Sequence, residues 1–463
     1  MTPSVLRYSD QIPQMSPQMD FNYLTMIPSN GASFSANQEV RIPINVPTDS
    51  FVDMKRAYIK FKLTNPAAAA GEKDGAILLD PVIGAASIIS TFRVVSGTGA
   101  LLEEIQHYDA LCAIMGNHKN ADVRQSRNAI CMGSSQVPMT AQSISNSAGV
   151  NDVASETTGK ETIAAATSKI FYHEPVSAVF NADKLFPFGY TQGTSYISLQ
   201  LNSAGGGVCQ FADATNSAAA WTASEWELYL PVLRPGAEFA NNFRTLIQSG
   251  LPINIHSVGF QNSQQNIAQN ATGMQTITFS TRKRSVKSIM TALRVNAQLS
   301  LIECNSSSGF KHNDAVDYQY SVGGKRIPSA PIKVASATDG LDLGGALNNT
   351  LMALGHYDSN LRGASFDVSQ ANRKYMQQVG ADDGSSDNKA SSSIAFSLDL
   401  ESYGEGLSGM NLAGQGLPLV LYLNCGGGAT RAATVGALIA DLYIVHDVIF
   451  TLDGVSGTLS ASS

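Results

Sequence analysis

The sequence lacks any hydrophobic run long enough to cross a bilayer, and its first residues, MTPSVLRYSDQIPQM, contain no apolar core of the kind a signal peptide needs. It has only five cysteines, at positions 112, 131, 209, 304 and 425, and an odd, scattered set does not fit a disulfide framework. We therefore expect a soluble protein that is not exported, with five free thiols, made in a reducing compartment.

Charge is also sparse. Charged residues make up 14% of the chain and the formal net charge is −7, whereas a protein that mainly holds nucleic acid needs a basic surface. The one basic run, Arg282-Lys283-Arg284 with Lys287, lies between two predicted strands and is interpreted as a charged loop. No sequence-specific nucleic-acid binding is predicted.

Common catalytic motifs are missing. The chain has no Gly-x-x-x-x-Gly-Lys-Ser/Thr phosphate loop, no Gly-x-Ser-x-Gly elbow, no His-Glu-x-x-His pair and no Cys-x-x-Cys. We therefore predict that the protein is not an enzyme, with no catalytic residues, no cofactor and no metal site.

One acidic segment has the residue types of a metal site. Asp382, Asp383 and Asp387, in ADDGSSDN, supply the oxygen atoms that calcium prefers, but their spacing does not match an EF-hand and the closing Glu is absent. A solvated acidic loop is the favoured interpretation.

The most informative stretch runs from Ile88 to His118. Phe92, Val94 and Val95 belong to a short β-branched and aromatic run that ends at Ser96-Gly97-Thr98-Gly99. Apolar residues then recur every three or four positions, at Leu101, Ile105, Tyr108, Leu111 or Cys112, and Met115. This pattern predicts a strand, a glycine turn and an amphipathic helix that begins near residue 101.

The same plan recurs later. Tyr318 to Val322 leads into Gly323-Gly324-Lys325, and a helical pattern follows from about Gly345 to Tyr357. Other predicted strands recur in the same order in the second half of the chain. Tyr58 to Leu63 corresponds to a strand near Val286 to Val295, Ser195 to Leu201 corresponds to Pro418 to Leu423, and Glu225 to Leu233 corresponds to Ala440 to Phe450. A repeat this long indicates a duplicated domain.

We therefore divide the chain into an N-terminal arm (1–35), a first β domain (36–238), a linker (239–252), a second β domain (253–457) and a C-terminal tail (458–463). The arm shows neither the apolar spacing of a helix nor that of a strand, but it carries apolar residues such as Tyr8, Phe21 and Tyr23. This composition suits a segment that becomes ordered only when it packs against a neighbouring subunit. One or two helical turns are expected in the linker.

Composition and local pattern also predict details within the domains. Polar stretches at 119–168 and 378–392 are interpreted as surface excursions. Pro43 confines its strand to an edge or a bulge, and the long apolar strand around Leu438 to Leu452 suits the centre of a sheet.

Three groups with chemical potential are given structural interpretations. His446 and Asp447 are neighbours on a strand, so their side chains point to opposite faces and do not form a base with its orienting carboxylate. His107-Tyr108-Asp109 and its echo His356-Tyr357-Asp358 are assigned to helices that pack on sheets. Trp221 and Trp226 are assigned to packing rather than to a sugar-binding platform.

The tandem arrangement resembles the double jelly-roll major capsid protein of double-stranded DNA viruses, and among these looks most like the proteins of virophages and polinton-like viruses. The matching segments are FVDMKRAYIKFKLT, DPVIGAASIISTFRVVSGTG, KLFPFGYTQGTSYISLQLNS, VDYQYSVGGKRIPSAPI, and LPLVLYLN with ALIADLYIVHDVIFTLDG.

This resemblance implies an all-β fold of two tandem eight-stranded jelly rolls with short helices in the loops. It further implies a homotrimer with a pseudo-hexagonal outline that tiles an icosahedral virion shell enclosing the genome. The expected partners are other copies of the chain, neighbouring capsomers, penton and minor capsid proteins, and an internal membrane reached through the N-terminal arm.

Two other classes remain open. A carbohydrate-binding, lectin-like β-sandwich module is the alternative function, with a secreted β-sandwich enzyme as a third. A lectin needs a glycan ligand and no large assembly, so a glycan array combined with a measurement of particle size separates these classes.

Overall fold

The structure is a computed structural model of the 463-residue chain. It describes residues 19–66, 77–80, 82–118, 127–134, 162–164, 166–210, 221–268, 271–296, 310, 315–334, 344–355, 394–401, 407–413, 418–425 and 437–463.

The first domain contains eight main strands in two antiparallel sheets. In chain order they are β1 (Met19–Met26), β2 (Glu39–Ile44), β3 (Tyr58–Thr64), β4 (Ile89–Val95), β5 (Leu101–Gln106), β6 (Ser168–His173), β7 (Ser195–Leu201) and β8 (Thr222–Pro235). One sheet has the order β1-β8-β3-β6 and the other β2-β7-β4-β5. The two sheets enclose an apolar core, as in a jelly roll.

The second domain has the same plan. Its strands are β9 (Ile253–Ile267), β10 (Gly273–Phe279), β11 (Val286–Val295), β12 (Ala315–Val322), β13 (Lys325–Lys333), β14 (Phe396–Asp399), β15 (Leu419–Cys425) and β16 (Leu438–Leu452). The sheet orders are β9-β16-β11-β14 and β10-β15-β12-β13. Each strand therefore occupies the position of the strand eight places earlier, which confirms the predicted double jelly roll.

The strands that were predicted correctly from the sequence show alternating apolar and polar residues. On β3, Ile59, Phe61 and Leu63 are buried while the lysines between them reach the outer face. The predicted correspondences hold in space, because β3 matches β11, β7 matches β15 and β8 matches β16. Pro43 lies on the edge strand β2, and β16 is central, between β9 and β11.

Helices and short strands complete the described part of the chain. The helices of two turns or more are α1 (Tyr108–Asn117), α2 (Ala237–Gln248) and α3 (Gly344–Ala353). Single turns occur at Met54–Arg56, Ala85–Ile88, Ala129–Met132, Ala178–Asn181, Phe188–Tyr190 and Ala204–Gly207, and short strands at Ser33–Ser35, Phe51–Val52, Ile77–Leu78, Thr162–Ile163, Cys209–Gln210 and Leu459–Ser462. None of the described helices is long and apolar enough to span a membrane.

The helix predicted to begin near residue 101 begins at Tyr108, and this expectation was wrong for seven residues. Leu101–Gln106 form β5, which pairs with β4 through a tight hairpin closed by the Ser96 N–H to Ala100 C=O bond of 2.8 Å. His107, with φ of 48°, then ends the strand and α1 starts. Pairing with β4 outweighed the helical spacing, because cross-strand contacts override local preference.

The predicted arm and tail are also corrected. Met19–Met26, assigned to the arm, is the first strand of the first jelly roll and pairs with β8 along its full length. Leu459–Ser462, assigned to the tail, pairs with β16. The linker forms a longer helix than expected, since α2 spans twelve residues. Tyr8 lies outside the described residues.

Candidate assembly surfaces

The β9-β16-β11-β14 sheet is buried on both faces. Its inner face, with Ile289, Leu293 and Leu442, belongs to the core of the second domain. Its outer face, with Met290 and Tyr443, belongs to the same apolar cluster as the core of the first domain. The two domains are therefore joined through continuous apolar packing rather than by a flexible tether.

A buried arginine joins the domains at this junction. The Arg294 guanidinium lies 2.6 Å from Asp441 Oδ2 on the neighbouring strand and 3.5 Å from Asp109 Oδ2 at the start of α1. Its Nη2 also donates to His107 Nδ1 at 2.9 Å, so that nitrogen accepts and carries no proton. Tyr443 Oη donates to the His107 carbonyl at 2.6 Å.

The His107-Tyr108-Asp109 motif is thus placed at the domain junction. Tyr108 is fully buried, with its hydroxyl 2.8 Å from His173 Nε2, and Val176 N–H donates to the same hydroxyl at 2.8 Å. Each member of the motif contacts a structural partner. The echo His356-Tyr357-Asp358 lies outside the described residues.

A buried carboxylate occupies a second part of the junction. Glu103, on β5, accepts the Ala178 N–H at 2.7 Å and the Phe260 N–H of the second domain at 3.4 Å. Burial raises the pKa of Glu103 to about 7, against the hydrogen bonds that lower it. Gly259 permits the close approach of the first domain, because a Cβ there would lie 3.1 Å from Ala178 Cβ and 3.4 Å from Glu103 Oε1.

Lys283, from the basic run, lies close enough to Glu103 to interact with its charge. Residues 280–285 connect β10 to β11, as expected for a charged loop, but Lys283 is partly buried and its Nζ donates to Ser463 Oγ at 2.6 Å. Burial lowers the pKa of Lys283. Burial and the nearby Lys283 charge lower the pKa of His446 to about 4.

Asp447 bonds to His446 through its backbone carbonyl, 3.1 Å from His446 Nδ1, and not through its carboxylate. Its buried carboxylate contacts His256 Nε2 at 2.9 Å and Lys287 Nζ at 3.6 Å, and it accepts the Ser285 hydroxyl. The serine therefore contacts the carboxylate rather than the histidine, and the arrangement lacks the nucleophile-to-base bond of a Ser-His-Asp triad. This cluster ties β9, β11 and β16 together.

The tryptophans are core residues. Trp221 and Trp226 are 1% and 2% exposed, and Trp226 stacks on Phe61 with ring centroids 4.4 Å apart. A sugar-stacking platform needs an exposed aromatic ring, so neither tryptophan can form one, and both serve in packing as predicted.

The structure describes some of the remaining candidate metal ligands and cysteines but not others. Asp382, Asp383 and Asp387 lie outside the described residues. Within the described ranges, no group of three or more His, Cys, Asp or Glu side chains could hold a metal ion. Cys112, Cys131 and Cys425 are thiols rather than disulfides, and the side chains of Cys209 and Cys304 are not described.

The two ends of the jelly rolls differ. Because successive strands run antiparallel, the connections between third and fourth strands and between fifth and sixth strands leave the same end of each domain. Both polar excursions predicted from sequence, 119–168 and 378–392, fall in a connection between fifth and sixth strands. We call this the loop end.

The opposite, compact end carries the hairpin turns and the inter-domain helix. The β4–β5 and β12–β13 turns and α2 all lie there. The Gln192 N–H of the first domain donates to the Gly457 carbonyl of the second at 2.8 Å. The domains are thus joined at this end as well as through the sheet.

Among the described residues, one sheet face combines exposed aromatic side chains with paired charges. It is the outer face of the β1-β8-β3-β6 sheet, which we call the first-sheet face, with Phe21, Tyr23, Tyr58, Lys60, Lys62, Ile170, Tyr172, Glu225, Glu227 and Tyr229. Its lysines are paired across strands, Lys60 to Glu227 and Lys62 to Glu225, each at 2.9 Å. Tyr58 stacks on Tyr229 at 4.8 Å.

Sequence reasoning missed the residues that build the junction. Arg294 had a local signal, since it is a lone charge near the end of the apolar strand VKSIMTALRV. Glu103 had none, because in the predicted helix it fell on the polar side. Its burial depends on Phe260, which is 157 residues away in the chain.

Sequence comparisons find no matching family model and no match among curated proteins. Solved structures do match. VP54 of PBCV-1, fitted as a crystal structure into a cryo-EM reconstruction of the virophage Sputnik, aligns over 98% of both chains with a TM-score of 0.56 at 9% identity.

Two further structures give similar values. The Faustovirus major capsid protein aligns over 95% of this chain and 91% of its own, with a TM-score of 0.54 at 10% identity. A chain of the Sputnik virophage cryo-EM structure aligns over 100% of this chain and 92% of its own, with a TM-score of 0.53 at 13% identity. This chain has the double jelly-roll fold of viral major capsid proteins.

Proposed function

We propose that this chain is a structural major capsid protein whose working unit is a homotrimer that tiles an icosahedral virion shell. The observation that carries the proposal is end-to-end similarity: both jelly rolls and their junction align with a major capsid protein over 95% of this chain. Similarity to one jelly roll alone would have little weight, because that fold serves many functions.

The firm junction between domains supports this role. A shell subunit must hold its two domains at one angle so that all copies offer the same surfaces. Arg294 with Asp109, the Glu103 carboxylate with the Phe260 N–H, and the shared apolar cluster all oppose hinge motion. Two domains per chain around a threefold axis would give six similar units, a shape that packs hexagonally.

The difference between the loop end and the compact end is consistent with one end facing outside the shell and the other facing inside. Long polar connections need not be buried, so we assign the loop end to the outside of the shell and the compact end to the inside. Penton and minor capsid proteins, and an internal membrane contacted through the residues before β1, are proposed partners. Assembly is proposed to occur in a reducing compartment of the host cell.

Light scattering of the purified protein tests the central claim. We expect a mass near three times 48.9 kDa, or larger regular particles, and a six-cornered outline in negative-stain images. An obligate trimer should bury well over about 2,000 Å² at each interface. A chain that stays monomeric at high concentration would contradict the proposal.

A glycan array addresses the alternative function. The lectin-like hypothesis required exposed tryptophan rings for sugar stacking, and both tryptophans are buried. Specific glycan binding by a monomer, or hydrolase activity of a monomer, would favour the alternatives, whereas a trimer without glycan binding supports the capsid role.

A further inference from the structure

The inter-domain helix α2 is held by both domains. On one side, the Phe243 ring lies 5.0 Å from the ring of Phe51 and 4.8 Å from the ring of Tyr190, both in the first domain. On another side, a turn of the second domain comes so close that a Cβ on Gly454 would clash with the Ile247 carbonyl. The position of α2 at the compact end is therefore set by packing, and the side that neither domain covers is a defined surface.

The uncovered side of α2 is apolar. Phe239 and Leu246 are seven residues apart, which places them on one face of the helix, and they are 51% and 44% exposed. The apolar surface continues beyond the helix with Leu251, which is 57% exposed, and Val455, which is 82% exposed. A Cβ on Gly250 would lie 3.8 Å from Val455 Cγ2, so the second-domain turn adjoins the end of the helix. We call Phe239, Leu246, Leu251 and Val455 the α2 stripe.

The size of the α2 stripe limits what can cover it. A twelve-residue helix is about 18 Å long and about 10 Å wide, so its outer side offers roughly 200 Å². A lasting interface between two proteins covers about 800 Å² on each partner. The stripe alone is thus too small to hold a second copy, whereas a segment of the same chain can bind it, because a tether keeps the segment at a local concentration in the millimolar range.

The charges on α2 do not favour a lipid surface. Helices that lie in a membrane interface carry Lys and Arg along their polar face. The only cation in α2 is Arg244, and its guanidinium is already paired with Asp49 of the first domain. The other exposed polar residues of the helix are uncharged or acidic: Glu238, Asn241, Asn242, Thr245 and Gln248. An uncharged apolar segment is therefore a better match for the stripe than a membrane.

Residues 1–18 enter the fold beside this stripe. They lie outside the described residues, but the strand that follows them begins at Met19, which pairs with Pro235. Pro235 is two residues before the first residue of α2. The segment therefore joins the described structure next to the first turn of α2, and Met19, which is 46% exposed, extends the apolar surface towards it.

The length and composition of the segment fit this surface. Its three prolines favour an extended chain over a helix. At about 3.1 Å per residue, roughly six extended residues span the length of α2, so eighteen residues reach past the helix to Val455. The segment has two charged side chains and five large apolar ones: Val5, Leu6, Tyr8, Ile12 and Met15.

We propose that residues 1–18 lie extended along the α2 stripe of their own chain and cover it, running from the first turn of α2 towards Val455. The contact gives the segment a binding surface within the chain, in place of the neighbouring subunit expected from its sequence. It needs one chain only, so it does not depend on the proposed trimer.

Hydroxyl-radical footprinting read by mass spectrometry tests the contact, because the modification rate of a side chain follows its exposure. With the segment tethered at millimolar local concentration, we expect Leu246 and Leu251 to be modified about threefold more slowly in the full chain than in a chain lacking residues 1–18. Met274, which is 57% exposed on β10 of the second domain, is the control and should be modified equally in both. A contact of this size adds little to global stability, so local exposure is the informative measurement.

Substitutions within the segment separate its apolar side chains from its mere presence. Leu6→Ser with Ile12→Ser in the full chain should raise the modification of Leu246 to the level seen in the truncated chain. Gln11→Ser with Gln14→Ser is the matched control, and it should leave Leu246 protected.

A substitution in the stripe gives the reciprocal test. Leu246→Ser should speed cleavage by trypsin after Arg7 about threefold, because it releases the tethered segment. Gln248→Ser changes an exposed residue on a different face of α2 and should leave this rate unchanged. Both positions are exposed, so circular dichroism should remain that of the wild type.

The other possible occupants of the stripe predict different results. Equal modification of Leu246 in the full and truncated chains overturns the proposal. Protection that disappears on dilution of the folded protein would assign the segment to another copy, and binding to phosphatidylcholine vesicles that Leu246→Ser abolishes would assign the stripe to lipid. Either result overturns the contact within the chain. A monomeric wild type with a protected stripe contradicts the capsid proposal alone.

Discussion

Arg294 Nη1 of the second domain lies 3.5 Å from Asp109 Oδ2 of the first, with the arginine 2% and the aspartate 4% exposed. A buried guanidinium is stable only when its donors are paired, and Asp441 and His107 take the others. The angle between the jelly rolls is therefore set in part by one charged side chain.

Replacement of this arginine is the first test of that role. Arg294→Met should reduce the free energy of unfolding by about 3–5 kcal/mol, because it leaves Asp441 and Asp109 buried without their cation. Chemical denaturation measures the loss. The exposed pair of Arg41 with Glu39 is the control, and Arg41→Met should cost about 1 kcal/mol or less. Equal losses would contradict the assignment.

The Glu103 carboxyl should make stability depend on pH. Its pKa is about 7 in the folded chain and near 4.5 when unfolded, so the folded state holds a proton that the unfolded state loses between these values. The stabilisation is full below pH 4.5 and is lost as pH rises through 7, a change of about 3 kcal/mol. Glu103→Gln, which stays neutral, should remove this loss.

Comparison with the variant is essential because His446 acts in the opposite direction. Its pKa of about 4 lies below the ordinary 6.5, so its contribution is full above pH 6.5 and is lost as pH falls towards 4. The difference in stability between Glu103→Gln and wild type, followed from pH 4.5 to 8, isolates the carboxyl. A difference that does not change with pH would refute the prediction.

Gly259 should be intolerant of a methyl group. A Cβ there would lie 2.7 Å from Val448 Cγ2 on the neighbouring strand and 3.1 Å from Ala178 Cβ across the domain junction. We expect Gly259→Ala to reduce the free energy of unfolding by about 1–3 kcal/mol. Gly345→Ala on α3, where the nearest atom is 3.6 Å away, should be neutral or stabilising by up to about 1 kcal/mol.

Truncation distinguishes β1 from the residues before it. Deletion of residues 1–35 removes β1 and the buried Phe34, and loss of that ring alone should cost about 3–5 kcal/mol. Deletion of residues 1–18 leaves the sheet complete and should hardly change the melting temperature measured by calorimetry. A chain that melts normally without residues 1–35 would show that β1 adds nothing to stability.

Features with a short sequence period could be predicted without coordinates. Alternating Ile59, Phe61 and Leu63 indicate a strand with one buried face, and Pro43 indicates an edge, because a missing N–H cannot serve a central strand. The order of such strands in two halves of the chain was sufficient to predict a duplicated β domain, whereas the jelly roll was predicted from the resemblance to viral major capsid proteins.

Other features depended on partners far away in the chain. Leu101–Gln106 has a helical spacing and became a strand because β4 pairs with it, and Met19–Met26 has no clear period and became a strand because β8 offers an open edge. Glu103 and Arg294 meet partners 157 and 185 residues away, so their burial and charge pairing follow from the docking of the domains. Local periodicity carries no information about such contacts, because they form only when the whole chain has folded.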